Sequence, residues 1–434
     1  MTSDPHTSLW RASDHGALEV PALSEDLQTD LVVIGGGFTG CSAALEAATS
    51  GANVVLLEAQ TIGHGGSGRN VGLVNAGLWL PPEVIKKQIG DGPGTRLINA
   101  LSVAPDEVYR LIEAHNIDCE ATRNGTLHLA HAPKGVEDLQ ERFRQGNASG
   151  APLQLLDREE TIRRTGSQAF FGALFDPRAG AIQPLGYCRG LARAALSAGA
   201  RVFERSAVTK ISHSDEGWHV QSNGRRIRAR HLLLATNGYI GALSGAPKPA
   251  FVPFHYCQFA TAPLSDAQRA RILPGGEGCW DTALVMSSLR IDRAGRVIVG
   301  GVGNLNAPGA AIHRNWAARK LAQIYPELAG VPFEHEWEGT IAMTSDHLPK
   351  VVEIGPDALS VFGYSGRGIG PGTVFGKRAA RALLFGEVDA LPLDIVPAYA
   401  ESLRAPRAAY YEFGATLTHA VSPNPLRTSS AKRA

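Results

Sequence analysis

The sequence predicts an α/β protein, α+β overall, in which a parallel-sheet domain is interrupted by a discontinuous antiparallel-sheet domain. Three observations carry the prediction. After Asp30, the apolar run Leu31-Val32-Val33-Ile34 stops at a glycine cluster and passes into a small-residue helix through Ala43, Ala44, Ala47 and Ala48; a second apolar run, Val54-Val55-Leu56-Leu57, then ends at Glu58. Unbroken apolar strands joined by a helix are parallel strands covered on both faces. The same pattern returns near Gln183-Pro184 and near Ala358. Between these returns, from about 251 to 341, the strands are longer and alternate apolar with polar residues, which suits a sheet with one face on a cavity.

In chain order, residues 1–29 form a lead-in. The parallel-sheet domain is assigned 30–82, 184–248 and 342–390, the second domain 83–183 and 249–341, and the C-terminal segment 391–434, whose polar, basic end from Ser422 is expected to be flexible. The chain turns helical from about Pro81 through 108–112, and a strand pair follows around 126–129. A helix over 185–197 leads to strands at 200–203 and 207–211, the alternating segment Trp218-His219-Val220, and a strand over 231–235 that ends in the turn Thr236-Asn237-Gly238. Strands are expected at 254–261, 284–291 and 296–300, then a last strand over 358–364 whose glycine turn feeds a helix over 373–385.

Composition narrows the function classes. With 434 residues, 44% of them hydrophobic, the chain can bury the cores of two or three domains. Lys plus Arg number 42 and Asp plus Glu 41, so no long-range field draws it to nucleic acid or an anionic membrane, and a small-molecule substrate is expected. Cys41, Cys119, Cys188, Cys257 and Cys279 stand far apart with no C-x-x-C pair, which argues against an iron-sulfur or zinc centre; no metal is expected. His128-x-x-His131 has a metal pair's spacing only, because a strand would point the two rings to opposite sides. The first 29 residues lack the apolar core of a signal peptide, and no stretch is a clean apolar span, so a cytoplasmic location and no transmembrane helix are expected.

Gly35-x-Gly37-x-x-Gly40 follows a strand, opens a helix with Phe38 and Thr39, and precedes a strand that ends at Glu58-Ala59, which is the full context of a Rossmann-like dinucleotide-binding fingerprint. Gly35 permits the tight turn, Gly37 lets backbone amides approach a pyrophosphate at the helix N-terminus, and Gly40 allows close helix packing. Glu58 can hydrogen-bond ribose hydroxyls and disfavours a 2′-phosphate, leaving FAD or NAD. The glycine-rich loop Gly65-Gly66-Ser67-Gly68-Arg69-Asn70, directly after the second strand, favours FAD.

At these residues the chain resembles the FAD-dependent D-amino-acid oxidase superfamily, in the branch of glycine oxidase, sarcosine oxidase, γ-glutamylputrescine oxidase and pipecolate oxidase. The resemblance rests on the fingerprint, on Ser67-Gly68-Arg69-Asn70 with Gly72, on Ala235-Thr236-Asn237-Gly238, and on Gly363-Tyr364-Ser365-Gly366-Arg367-Gly368-Ile369-Gly370. Ser8-Leu9-Trp10 and Pro21-Ala22-Leu23 look like the lead-in of the γ-glutamylputrescine oxidase type. It implies a Rossmann-like FAD-binding domain of the GR2 type. Ser67 to Leu73 would then run beside the flavin ring, Arg69 and Asn70 would supply donors, and Val208 would meet the adenine through its backbone. The amides of Gly366, Arg367, Gly368 and Ile369 would face the pyrimidine side of the ring, where negative charge collects on reduction.

Covalent relatives carry a flavin-linking cysteine before their equivalent of Thr344-Ser345-Asp346; here that stretch reads Gly339-Thr340-Ile341-Ala342-Met343, so non-covalent FAD is expected. Relatives also use a lysine for the substrate carboxylate and another for oxygen, where this chain has Gly370 and Val297-Ile298-Val299. Arg290 is the first carboxylate-binding candidate, with an outward-facing strand arginine as the alternative. His255 and Tyr256 are candidates to orient an amine, against ordinary sheet positions, and Arg367 is a second carboxylate candidate, against a surface turn. The expected reaction is oxidation of a carbon–nitrogen bond in a small amine or amino acid, such as pipecolate, sarcosine or a γ-glutamyl polyamine, by hydride transfer to flavin N5, with O2 reduced to hydrogen peroxide. A dehydrogenase that passes electrons to a quinone or other carrier is the alternative. An RNA-modifying flavoprotein and a non-catalytic flavin-binding subunit are more remote ones.

Overall fold

A computed structural model of the protein describes residues 8–14, 16–245 and 247–422. Two large sheets organise these residues. The first has nine strands, five of them parallel neighbours in the order Ala358–Phe362, Arg225–Leu234, Leu27–Ile34, Val54–Leu57 and Arg201–Phe203. Lys350–Gly355 and the hairpin of Val208–Ser214 with Gly217–Ser222 extend it by antiparallel pairing. The strand Val54–Leu57 is buried at every position, as its unbroken apolar run requires.

The second sheet has eight strands, running from Phe333–Met343 through Val252–Pro263, Arg296–Val302, Ser287–Ile291, Gly278–Asp281, Thr126–Leu129 and Ala173–Asp176 to Gln154–Leu156. It is antiparallel except where Gly278–Asp281 lies parallel to Thr126–Leu129. That pairing joins the two sequence segments assigned to the second domain and sets Trp280 opposite His128.

The crossing of two helices positions the site. The helix Phe38–Thr49 lies on the first strand because Gly40 has no Cβ to strike the Gly35 carbonyl. The helix Ile369–Phe385 crosses it so tightly that a Cβ on Gly376 would collide with the carbonyl of Thr39. Ser42 Oγ donates to the Thr373 carbonyl at 2.8 Å across the same contact. Both N-termini consequently open at the same edge of the parallel sheet.

Several expectations are corrected. The helices Pro82–Ile89, Asp91–Ser102 and Ala104–Ala114, placed by sequence with the second domain, bury Ile85, Leu97, Leu101, Val108 and Leu111 in the core of the parallel-sheet unit, because the second and third pack on the helix Ile369–Phe385 and the first packs on the second. The strand expected over 284–291 begins at Ser287, and Leu284 is fully exposed in the preceding loop. The first strand starts at Leu27, before Asp30, and the helix that follows the second glycine turn starts at Ile369, before Thr373. The C-terminal segment carries an unanticipated helix, Arg404–Val421, docked on the second sheet with Tyr411 edge-on to Phe254 at 5.4 Å. The tail expected to be flexible lies, past Ser422, outside the described residues. No helix among the described residues is long and apolar enough to cross a membrane.

The crossing predicts a stability effect. Gly376→Val should destabilise the fold by about 1–3 kcal/mol, the usual cost of overpacking, and lower the flavin content of purified protein, as read by thermal unfolding and the flavin-to-protein absorbance ratio. Wild-type values on both would refute the crossing as a constraint.

Candidate functional site

One cavity of about 890 Å³ runs from the glycine turn of the parallel sheet to the second sheet. At one end Gly35, Gly37, Phe38 and Thr39 line it beneath the N-terminus of the helix Phe38–Thr49, whose first turn holds no acid. Glu58 closes this end, accepting from the Gly36 amide at 2.8 Å and the Gln60 amide at 2.9 Å. Burial pushes its carboxyl pKa up, while those amides pull it back. Ala59 lies beside it and Val208 forms part of the facing wall with Ser206, Ala207 and Thr209.

In the middle, Ser67, Arg69, Asn70 and Leu73 line one side. Ser67 Oγ accepts from the Phe38 amide at 3.1 Å, tying the loop to the helix N-terminus. Arg69 donates to the carbonyls of His64 (3.0 Å) and Glu338 (3.1 Å), and the Asn70 amide donates to Gly66 and Ser67 within its own loop. These donors shape the loop, where the sequence reading aimed them at the ligand. On the other side, Thr236 Oγ1 is buried with no partner and Asn237 Oδ1 accepts from the Gly363 amide at 2.9 Å. Gly40, Gly68, Gly72 and Gly238 lie outside the lining and act through close packing; a Cβ at Gly68 would strike the Gly63 carbonyl.

At the far end, Gly366, Arg367, Gly368 and Ile369 form the wall at the start of the second helix, which has no side-chain cap and no acid in its first turn. Arg367 lies over the rings of Trp79 (4.6 Å) and Trp280 (5.1 Å), and its one protein hydrogen bond runs from Nη1 to the Ala76 carbonyl. It has no ion pair among the described residues, and its Nε is buried without a partner. Burial, then the nearby charge of Arg142, draws its pKa down to about 9, so it remains a cation at neutral pH. Arg142 also lines this end, bonded to Asp138 and to the Trp79 carbonyl. Glu58, at the opposite end, is the one carboxylate in the lining among the described residues.

The second sheet forms the floor. Phe254, Tyr256 and Gln258 line the cavity at alternate positions of one strand, with Ser288 and Trp280 from strands further along the sheet and Met286 from the loop before Ser287. The Tyr256 hydroxyl, its pKa raised by burial, neighbours Ser288, yet no hydrogen bond of good geometry forms; Gln258 Oε1 and Trp280 Nε1 are likewise buried without partners. Tyr256 therefore lines the cavity. His255 does not: strand parity turns it to the opposite face.

Arg290 is also displaced from its expected role. It is buried outside the lining, and its Nη1 donates to the carbonyls of Val71 (3.0 Å), Ile182 (2.6 Å) and Gly72 (3.4 Å). Its Nη1 is thus spent on backbone carbonyls and does not face the cavity. His128 stacks on Trp280 and His131 hydrogen-bonds Thr282, and no cluster of three potential metal ligands occurs among the described residues. Gln258 was within reach of period-two reasoning from Tyr256; Trp79 and Arg142, brought in by a loop and a helix from distant sequence, carried no such signal.

The residues present fit a bound dinucleotide. The glycine turn, the acid after the second strand and the unpartnered Thr236 hydroxyl share one elongated cavity, which leads on to a cationic chamber of its own lining.

Comparison with known proteins agrees. Residues 30–382 match the family model described as DAO, FAD dependent oxidoreductase. The chain is 31% identical to the probable oxidoreductase OrdL of Rhizobium meliloti (strain 1021), over 87% of this chain and 89% of that protein. It is 30% identical to the gamma-glutamylputrescine oxidoreductase of Escherichia coli (strain K12), over 84% of this chain and 86% of that one. Its fold is that of the crystal structure of glycine oxidase from Geobacillus kaustophilus, with TM-score 0.67 at 19% identity, over 82% of this chain and 95% of that chain. The chain belongs to the DAO family of FAD-dependent oxidoreductases.

Proposed function

We propose that the enzyme oxidises the carbon–nitrogen bond of a small amine or amino acid that carries a carboxylate, a secondary amino acid or a γ-glutamyl polyamine being the class that fits best. The observation that carries this reading is Arg367, an arginine without a carboxylate partner, held between two indoles at the end of the cavity remote from Glu58. A buried guanidinium is stabilised by an anion, and its planar fork suits a carboxylate. The 30% identical relative named for γ-glutamylputrescine supports a substrate of the same kind, since a γ-glutamyl group carries a carboxylate.

Bound FAD supplies the two-electron acceptor, and the oxidised substrate is an imine that water hydrolyses. The remaining work is positioning by this chain's residues. Arg367, with Arg142 adding positive field, anchors the carboxylate; Trp79 and Trp280 exclude water from it; Tyr256, Gln258 and Ser288 offer unpaired polar atoms on the floor. The same two arginines disfavour an ammonium ion nearby, so the substrate nitrogen binds in its neutral, oxidisable form without a dedicated protein base. No cysteine lines the cavity among the described residues, which supports FAD held without a link to a thiol.

Oxygen is the proposed final acceptor, giving hydrogen peroxide. Transfer to a quinone or other carrier is the second reading, favoured by the absence of lysine from the cavity wall among the described residues.

Arg367→Met should lower kcat/KM roughly 10- to 100-fold, mainly through KM, because it removes hydrogen bonds to a charged group; steady-state kinetics on a carboxylate-bearing amine test this, and an unchanged KM would reject the anchor. One O2 consumed per substrate oxidised, measured with an oxygen electrode, is the result expected of an oxidase. Turnover that requires an added quinone or dye acceptor would favour the second reading.

A further inference from the structure

The loop that leads from the glycine-rich turn to the cavity wall has five consecutive carbonyls held by groups from other parts of the chain. Ser8 Oγ donates to Gly68 O at 3.0 Å, Trp337 Nε1 to Arg69 O at 2.9 Å, and Trp10 Nε1 to Asn70 O at 2.8 Å. Arg290 Nη1 donates to Val71 O at 3.0 Å, and the Ile182 amide to Gly72 O at 2.8 Å. The four side-chain donors come from three separate parts of the sequence, and none of them lines the cavity, whereas Ser67, Arg69, Asn70, Val71 and Leu73 do.

The donors themselves form one rigid unit. Trp10 and Trp337 meet edge to face at 5.9 Å, and the Arg290 guanidinium lies over the Trp10 ring at 5.2 Å. Gln183 fixes the segment by donating to the Trp10 carbonyl at 2.8 Å. Both indoles are fully buried in a small apolar cluster with Leu9, Leu185, Ala260 and Ile298.

We propose that Ser8, Trp10, Arg290 and Trp337 are positioning residues for the cofactor, with the segment at 8–10 an integral part of the flavin site. A trans peptide points its C=O and N–H in opposite directions. Holding the Asn70 carbonyl against Trp10, away from the cavity, therefore turns the N–H of Val71 toward the cavity. The amides of Arg69 and Asn70 bond the Gly66 carbonyl and that of Gly72 bonds Asn70 Oδ1, so the Val71 N–H is the positive peptide edge this stretch leaves for a ring lying beside it, where it would raise a bound flavin's midpoint potential. A freed Asn70 carbonyl would turn a negative oxygen to the same place. The inference rests on the placement of loop 67–73 beside the flavin.

Trp10→Phe keeps the ring packing and removes the donor. Purified holoenzyme of this variant should show a lower midpoint potential of bound FAD and about fivefold faster FAD release, the factor set by one net hydrogen bond. Ser8→Ala, which removes no ring, should move both readouts in the same direction and carries the test if the first variant yields no soluble protein. Leu73→Glu, on the cavity side of the same loop, should alter both as a control on placement. Wild-type potential and release rate in Trp10→Phe and Ser8→Ala, whatever their thermal stability, would overturn the proposal. If Leu73→Glu were silent as well, the placement of the loop at the flavin would fall with it.

Discussion

The contact of Gly376 with the Thr39 carbonyl brings two helix starts to one place. Because these helices cross without an intervening side chain, the glycine turn after the first strand and the glycine turn before the helix Ile369–Phe385 share a cavity. The first turn then faces the acidic end marked by Glu58 and the second carries Arg367. A wider crossing would separate cofactor and substrate elements that are more than 300 residues apart in sequence and leave no common chamber. Close approach at glycine, more than any individual polar contact, gives the two turns a common cavity.

Electrostatics then divide the cavity along its length. The lining acid stands at one end, while Arg367 and Arg142 stand at the other, with no acid beside them in the wall. His347 lines the cavity too, but burial lowers its pKa and favours its neutral form. Positive charge at the far end thus rests on arginines, which hold it across the physiological pH range. In the proposed function, that end selects substrates by an anionic group and favours the neutral form of the oxidisable nitrogen.

Much of this was legible in the sequence where chemistry is local. The turn from Gly35 to Gly40, Glu58, Thr236-Asn237-Gly238 and Gly366 to Ile369 announce themselves because tight backbone geometry demands glycine at fixed offsets. Strand parity, by contrast, decides between His255 and Tyr256, and one residue of register sends a side chain to the opposite face. Arg290 misled for a related reason: a strand arginine at a domain junction looks identical in sequence whether it meets substrate or a backbone carbonyl. Trp79, Trp280 and Arg142 were invisible because only the pairing of Gly278–Asp281 with Thr126–Leu129 and the packing of distant helices bring them together. The helix Arg404–Val421 was hidden because large apolar residues, Tyr410, Phe413 and Leu417, lie on its exposed face while Ala415 and His419 are its buried residues.

The account stands or falls on whether substrate is recognised by its carboxylate. The direct measurement is the loss of the visible flavin band when the purified protein is mixed, without oxygen, with matched pairs: pipecolate and piperidine, sarcosine and dimethylamine, γ-glutamylputrescine and putrescine. Bleaching by one or more of the carboxylate-bearing members, with their partners inert at equal concentration, is the predicted result. Bleaching by piperidine, dimethylamine or putrescine as readily as by their counterparts would contradict it.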